Sequence, residues 1–518
     1  MMTRTDRRKV TVESILVTAE QMRAIEARVF EAGMPVAALM EKVAGSVARR
    51  IEALLQQMPE VSRVGVLVGP GHNGGDALVV ARELHFQGYA ISVYQPLSKL
   101  KALTSQHAQY LASLGVPFDE EISALEGCDV FIDGLFGFGL ERPLSGAIAE
   151  AVDRLNEWDS PVLSIDLPSG LQTDTGQPLG TAVRATRTFC LGLWKLGLVQ
   201  DEALAYVGTP ELIDFDLPLA DIEAVVNRPP ALRRIVGNCA RSQLPLDRPQ
   251  VTHKYKQGHL LLVASSRRYS GAGLLAGLAA RASGVGMLSI AVPESLKLLY
   301  NGQLPEALVV GCPETETGAI AAFPDELDLQ GFSAIACGPG LTLDAAVVPA
   351  ILDCPVPAVL DADGLNWLAQ NGTVERLSAR EAPTILTPHP GEFKRLFPEI
   401  ERTAMQRCDR VRQAAVTTGA IVVLKGARTA IAHPDGTVAF LPESTPALAR
   451  GGTGDVLTGL LGGLVAQGSV GEGAIAPLVE AAVWWHAQAG RLAARERSEL
   501  GVDARTLTDY LIASIVDL

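Results

Sequence analysis

The stretch Arg450-Gly451-Gly452-Thr453-Gly454-Asp455 runs directly into the apolar helical pattern Val456, Leu457, Leu460, Leu461, Leu464. Glycines let consecutive backbone N–H groups turn into one concavity, and the helix that follows adds its positive end there. That hollow suits an anion. Asp455 at its rim supplies a base, and the two together suit phosphoryl transfer to a hydroxyl group. Three further loops, all in the first half of the chain, each carry an aspartate among glycines. They are residues 69–76 (Gly-Pro-Gly-His-Asn-Gly-Gly-Asp), 133–140 (Asp-Gly-Leu-Phe-Gly-Phe-Gly-Leu) and 166–170 (Asp-Leu-Pro-Ser-Gly). Three aspartates at successive strand ends are unlikely to be chance, and the loops that carry them can line one crevice.

Hydrophobic period shows which elements must hold these loops. Residues 18–55 have helical spacing, divided by Gly33-Met34-Pro35. Buried strands are expected at 63–68, 90–94, 130–132, 162–165 and 186–193, with helices at 76–88, 104–114 and 145–155. This rhythm predicts a parallel sheet with right-handed crossovers, whose carboxyl-end loops share one edge. Residues 211–250, with Pro218, Pro229, Pro230, Pro245 and Pro249, read as a linker containing one short helix.

Alternation then resumes. Strands are expected at 260–264, 287–292, 334–337, 358–360, 385–386 and 421–424, with helices at 272–283 and 402–418. A hairpin follows at 429–432 and 438–441, then helices at 453–467 and 474–494. Polar loops fall at 270–273, 338–341, 361–366, 387–392 and 425–429. The fold class is therefore α/β with two domains, 13–224 and 225–518.

Composition narrows the function. The net charge of −14, with no basic stripe, argues against a nucleic-acid partner. No uninterrupted apolar run reaches membrane-spanning length, so no membrane is expected. The number of cysteines, 7, is odd and none are in CxxC spacing, which predicts buried, reduced thiols in the cytoplasm. Residues 1–10 are basic but lack the apolar stretch of a secretory signal. Neither GxxxxGK[ST] nor HExxH occurs, which excludes a P-loop and disfavours zinc. Gly69, Gly71 and Gly74 match GxGxxG, yet the next strand ends in Tyr94-Gln95 without the acid that would hold a ribose. Hydride transfer with a bound dinucleotide is disfavoured accordingly.

The three loops of the first half resemble those of the epimerase module of the NAD(P)H-hydrate repair enzymes. That resemblance implies a Rossmann-like parallel sheet that binds hydrated nicotinamide cofactor, NAD(P)HX, with a potassium ion among the loops. Carried over by motif, His72, Asn73, Gly74, Gly75 and Asp76 would contact substrate, as would Gly137, Phe138, Gly139, Leu140, Glu141, Arg142 and Pro143. Asn73, Asp133 and Ser169 would hold potassium, and Asp166 would be the acid/base residue. His72, Ala77 and Phe138 depart from the family's usual Asn, Gly and Thr, and Phe138 is the one able to alter pocket shape. Lys195, in Trp194-Lys195-Leu196-Gly197, reads equally well as a contact to substrate phosphates or as a solvated loop lysine.

The second half, ending in Gly-Gly-Thr-Gly-Asp, is similar to the ribokinase-like superfamily. Asp-Ala-Asp-Gly-Leu-Asn, His-Pro-Gly-Glu and Lys-Gly-Ala-Arg-Thr narrow the likeness to its ADP-dependent NAD(P)H-hydrate dehydratase branch. The resemblance implies that Lys425, Gly426, Ala427, Arg428, Thr429 and Gly454 bind ADP with magnesium. Ala272, Gly340, His389 and Asp455 would meet the hydrated cofactor, and Asp455 would be the base. For Asp361 and Asp363, a site role and plain turn or cap roles are equally open. Together the two resemblances imply a two-step repair. The first module interconverts the R and S epimers, and the second dehydrates the S form to NAD(P)H while ADP becomes AMP and phosphate. A homo-oligomer is expected, its size not legible. The competing reading is a small-molecule kinase fused to a ligand-binding module, which the same Asp455 loop would serve.

Overall fold

The computed structural model describes residues 4–227, 230–404, 406–471 and 474–516. Pro229, in the expected linker, and Met405, in the expected 402–418 helix, lie outside the described residues. The chain divides into two compact units, Met1–Leu232 and Arg233–Leu518.

The first unit is built on seven parallel strands. They are β2 (Arg63–Val68), β3 (Ala90–Tyr94), β4 (Phe118–Asp119), β5 (Val130–Gly134), β6 (Val162–Ile165), β7 (Arg187–Leu191) and β9 (Thr209–Ile213), in the order β4-β3-β2-β5-β6-β7-β9. Residues 64–68 and 162–165 are buried throughout and, Ser164 apart, without polar side chains, as a sheet covered on both faces requires. Chain direction across the sheet reverses between β2 and β5, so the loops after these two strands part and leave a crevice. A separate two-stranded parallel pair joins β1 (Leu16–Val17) to β8 (Trp194–Lys195), with Val17 opposite Lys195.

The second unit holds ten strands in the order β10-β19-β18-β17-β16-β15-β14-β11-β12-β13. In chain order these are β10 (Leu232–Arg234), β11 (His259–Val263), β12 (Met287–Pro293), β13 (Leu308–Cys312), β14 (Ala334–Cys337), β15 (Ala358–Leu360), β16 (Thr384–Leu386), β17 (Ile421–Leu424), β18 (Ala430–Ala432) and β19 (Val438–Phe440). The block from β13 to β17 is parallel, and β18 and β19 add the expected antiparallel hairpin. Here the reversal falls between β11 and β14, under the loops that precede Ala272 and contain Gly340. The Ala272–Ala282 and Thr453–Val470 helices pack so closely that a Cβ on Gly459 would lie 1.9 Å from the Ala276 carbonyl oxygen.

The α/β class and both parallel sheets agree with the sequence reading. Several local expectations do not. Residues 211–250 are no bare linker: they contain the end of β9, the Leu219–Val226 helix, β10 and the Gly237–Gln243 helix. Pro218 directly precedes a helix, at an element edge where Pro costs least. The helix after β2 is His72–Phe86 and starts four residues before the expected 76, because the motif's glycines are tolerated in its first turn. Most of the expected 361–366 loop lies in the Ala362–Asn371 helix, and 402–418 resolves into Pro398–Thr403 and Arg407–Thr418. Six cysteines are buried and free, but Cys239 is exposed.

Candidate functional site

The first unit's crevice is a cavity of about 630 Å³ at the β2/β5 reversal. Gly69 permits it: a Cβ there would stand 1.6 Å from the Leu135 carbonyl oxygen, so the loops after β2 and β5 could not meet. His72, Asn73 and Asp76 line it from the first loop, Gly137 to Arg142 from the second, and Asp166 from the third. Gly74, Gly75 and Pro143 are not on its wall; Gly74 instead abuts the Gly69 carbonyl, where only glycine fits.

Asp166 ends β6 with φ +69°, a left-handed conformation that aspartate tolerates better than most residues. Its Oδ2 accepts the Phe138 N–H at 2.9 Å, and its Oδ1 lies 2.5 Å from Lys195 Nζ. Lys195 is fully buried, donates also to the Leu191 carbonyl, and sits 5.6 Å from the Phe138 ring centroid. The solvated-loop reading of Lys195 does not survive, because the β1–β8 pair folds its loop inward against Asp166 and onto the cavity wall. Burial works against the ammonium, but Asp166 outweighs it and holds the lysine above its ordinary value. Asp76, expected to contact substrate, lines the cavity from within the first turns of the His72–Phe86 helix and is buried. Burial, then Asp166 and Glu26, push its carboxyl well above the usual range.

Asp133 is wholly buried beneath the crevice. Its carboxylate accepts Ser164 Oγ at 2.8 Å, Ser169 Oγ at 2.6 Å, the Ser169 N–H at 2.8 Å and the Leu135 N–H at 3.3 Å. Burial raises its pKa against these donors. Ser169 also reaches the Phe136 carbonyl, and the Asn73 amide nitrogen is buried without a partner. Asn73 Oδ1 and Asp166 Oδ2 both crowd the space beside Gly137.

In the second unit, contacts gather residues that the sequence keeps far apart. A Cβ on Gly340, which has φ +67°, would lie 2.9 Å from the Ala272 Cβ, and one on Gly452 would lie 2.7 Å from Leu275. Buried Ser265, φ +71° at the end of β11, fastens this corner. Its Oγ accepts the Gly273 N–H at 3.0 Å and lies 2.7 Å from the Tyr300 hydroxyl, while its own N–H donates to the Pro339 carbonyl.

Gly452, with φ +90°, opens the Thr453–Val470 helix, whose first-turn amides have no intrahelical acceptors. Under it, neutral His486 meets the Thr453 carbonyl at 2.9 Å; burial lowers its pKa to about 4, so Nε2–H is the donor. Lys425 Nζ pairs with buried Asp361 at 2.9 Å, and Thr458 Oγ donates to the same carboxylate at 2.7 Å. Burial would raise Asp361, but Lys425 and Thr458 hold it below the ordinary carboxylate range. Asp361 is thus a core ion-pair partner, whereas Asp363 serves local structure by accepting from Thr342 and Asn366. Asp455 stands beside this pair, and burial, then Asp361, push it up to about 7.

His389 caps the Pro390–Leu396 helix, its Nδ1 accepting the Gly391 N–H while Glu392 accepts the His389 N–H. Its ring is half exposed. Gly426 and Ala427 are exposed on the turn beyond Lys425, Arg428 is partly exposed, and Thr429 is buried just before β18. Gly454 is drawn to Lys425: a Cβ there would be 3.5 Å from Nζ. Sequence reading missed the Asp166–Lys195 and Asp361–Lys425 pairs and the His486 support. Only a parallel strand or a long-range hydrogen bond brings those partners together, and no local spacing signals them.

Known proteins were compared with this chain. Residues 260–513 match the family model described as NAD(P)H-hydrate dehydratase, and 36–197 match that of the YjeF-related protein N-terminus. The bifunctional NAD(P)H-hydrate repair enzyme Nnr of Synechocystis sp. is 52% identical over 498 residues, 96% of this chain and 94% of that protein. Its namesake from Thermosynechococcus vestitus is 51% identical over 510 residues, covering 98% of each. The solved ADP/ATP-dependent NAD(P)H-hydrate dehydratase from Bacillus subtilis is 34% identical, with a TM-score of 0.44 over 54% of this chain and 96% of that one. With both modules matched in one chain and half the residues shared along almost its full length, the protein belongs to the bifunctional NAD(P)H-hydrate repair family.

Proposed function

We propose that the first unit epimerises R- and S-NAD(P)HX and that the second dehydrates the S form to NAD(P)H at the expense of ADP, giving AMP and phosphate. The supporting observation is one lysine–carboxylate centre per unit, its carboxylate in each case at the carboxyl end of a strand of the parallel sheet. Hydroxide leaves poorly, so the hydrated ring needs its hydroxyl activated. Asp455 takes the hydroxyl proton as that oxygen attacks the terminal phosphoryl group of ADP, and N–H groups of Gly452, Thr453 and Gly454 face the developing charge. Lys425, steadied by Asp361, adds a cation next to Gly454. The ring nitrogen's lone pair then expels phosphate, forming C=N⁺, and loss of a proton from the neighbouring ring carbon restores the reduced nicotinamide.

Among the described residues no group of three or more His, Cys, Asp or Glu could hold a metal. Magnesium therefore fits as an ion carried on the nucleotide phosphates, whose charge it offsets. Potassium fits the first unit, where Asn73 Oδ1, Ser169 and the buried, hydrogen-bonded Asp133 carboxylate offer oxygen atoms to a hard cation. In that unit Asp166 exchanges protons with the hydroxylated carbon's substituent, and Lys195 holds it in place. His72, Phe138 and Glu141 shape the cavity around the substrate. Free cysteines suit the reducing cytoplasm, and among the described residues no helix is long and apolar enough to cross a membrane.

The test supplies racemic hydrated NADH with ADP and follows reduced-nicotinamide absorbance from the earliest times. Smooth conversion of both epimers, faster than their spontaneous exchange, is expected. A stable phosphoester without recovered absorbance would instead mark a small-molecule kinase.

A further inference from the structure

Glu26 lies on the Ala19–Glu31 helix, ahead of the span 36–197 matched by the N-terminal family model. Its surroundings are nevertheless built with care. The helix starts in a capping box, in which Thr18 Oγ accepts the Gln21 N–H and Gln21 accepts the Thr18 N–H. Asp174 accepts the Ala19 N–H at 2.8 Å. Directly before it, β1 pairs with β8, placing Val17 opposite Lys195. The same short pair thus fixes both the lysine that holds Asp166 and the helix that carries Glu26, and Glu26, Lys195 and Asp166 line one cavity.

Among the described residues none hydrogen-bonds the Glu26 carboxyl, although it is half buried. A carboxyl left without a partner beside a cavity is poorly explained as a structural group. The two arginines of its own helix are engaged elsewhere, Arg23 with Glu141 at 2.6 Å and Arg28 with Asp221 of the Leu219–Val226 helix at 3.0 Å. The charged groups that face it are Lys195 from β8, Asp166 after β6 and Asp76 from the His72–Phe86 helix.

We propose that Glu26 is the second proton-carrying catalytic residue of this crevice, sharing with Asp166 the two faces of the hydrated ring; this rests on the epimerase reading above. Inversion at a carbon bearing hydroxyl and nitrogen needs water to leave from one face and return on the other. In one direction Glu26 gives its proton to the leaving hydroxyl. The C–O bond breaks, the ring nitrogen's lone pair forms C=N⁺, and water departs. A water on the other face bonds to that carbon, the C=N electrons return to nitrogen, and the surplus proton passes to the Asp166 carboxylate. The proton has moved from Glu26 to Asp166, and the reverse reaction or exchange with solvent returns it. Burial raises Glu26 to about 7, Lys195 opposing and Asp166 adding, so both forms are populated at neutral pH. Burial, then Asp166 and Glu26, also push Asp76 well above the usual carboxylate range.

The test uses the full chain without ADP and follows interconversion of purified hydrated-NADH epimers by chromatography. For Glu26→Gln, kcat is expected to fall about 100-fold with KM changed less than about twofold. In the direction where Glu26 is the acid, wild-type kcat/KM falls as pH rises through about 7, and that limb disappears in the variant. Glu26→Asp should recover part of the rate with the limb displaced, and S-epimer dehydration by the same molecules should be unchanged, which confirms a folded, active chain. A Glu26→Gln enzyme that keeps its rate and pH limb, or loses activity through KM alone, overturns the proposal. If wild type does not interconvert the epimers at all, the epimerase reading itself falls, and this assignment with it.

Discussion

Both units set a lysine against a carboxylate, but they do it to opposite effect. In the first, Lys195 grips Asp166, the residue facing the cavity. In the second, Lys425 grips Asp361 from beneath, and Asp455 stands to one side with a pKa near 7. A paired carboxylate is held in position by its partner. One left beside an ion pair, half stripped of water and facing a like charge, binds protons more readily. The same residue types therefore yield a proton acceptor clamped by its lysine or one standing beside a clamped neighbour, depending on which carboxylate pairs with the lysine.

The largest test of this contrast is to remove each carboxylate. Asp455→Ala should cost dehydration about 100- to 10,000-fold while sparing epimerisation, and Asp166→Ala should do the reverse. Loss of both activities in a folded single variant would contradict the division of labour. Next come the lysines. Lys195→Met leaves a buried charge unpaired and should destabilise the first unit by about 3–5 kcal/mol in denaturant unfolding. Lys425 is partly exposed, so Lys425→Met should cost less stability. It should also move the pH–rate limb of dehydration upward, since Lys425 lowers the Asp455 pKa.

In the wild type that limb has a definite sign. Asp455 must be ionised to accept a proton, so kcat/KM for dehydration should rise with pH through about 7 and then level. The smallest effect is on stability. A carboxyl raised on folding contributes stability below its unfolded pKa and loses it as pH rises through the folded value. Asp455→Asn should therefore melt about 2–4 °C above wild type at pH 8, and the gap should close toward pH 4.

Much of the scaffold was legible because its strands are short, largely apolar runs. Expected and observed limits coincide for β2, β3, β6, β14, β15 and β17. The loops at strand ends were legible because glycine and aspartate cluster there. Residues 362–371 and 211–250 were misjudged because polar or proline-rich composition hides short helices that tertiary packing stabilises. Lys195 could not be placed from its neighbours. Its burial depends on pairing with a segment at the far end of the unit, and side-chain partners across such distances leave no mark on local spacing.

That pairing bears on how the protein is made. Joining β1 to β8 closes a loop of nearly the whole first unit, so its entropy cost is met only after the intervening sheet has formed. On the ribosome, Leu16 and Val17 emerge early and must wait, unpaired, until Lys195 follows. The crevice becomes competent last. A fragment started at residue 36 would keep the seven-stranded sheet yet lose the clip, and it should be born with its lysine unfastened.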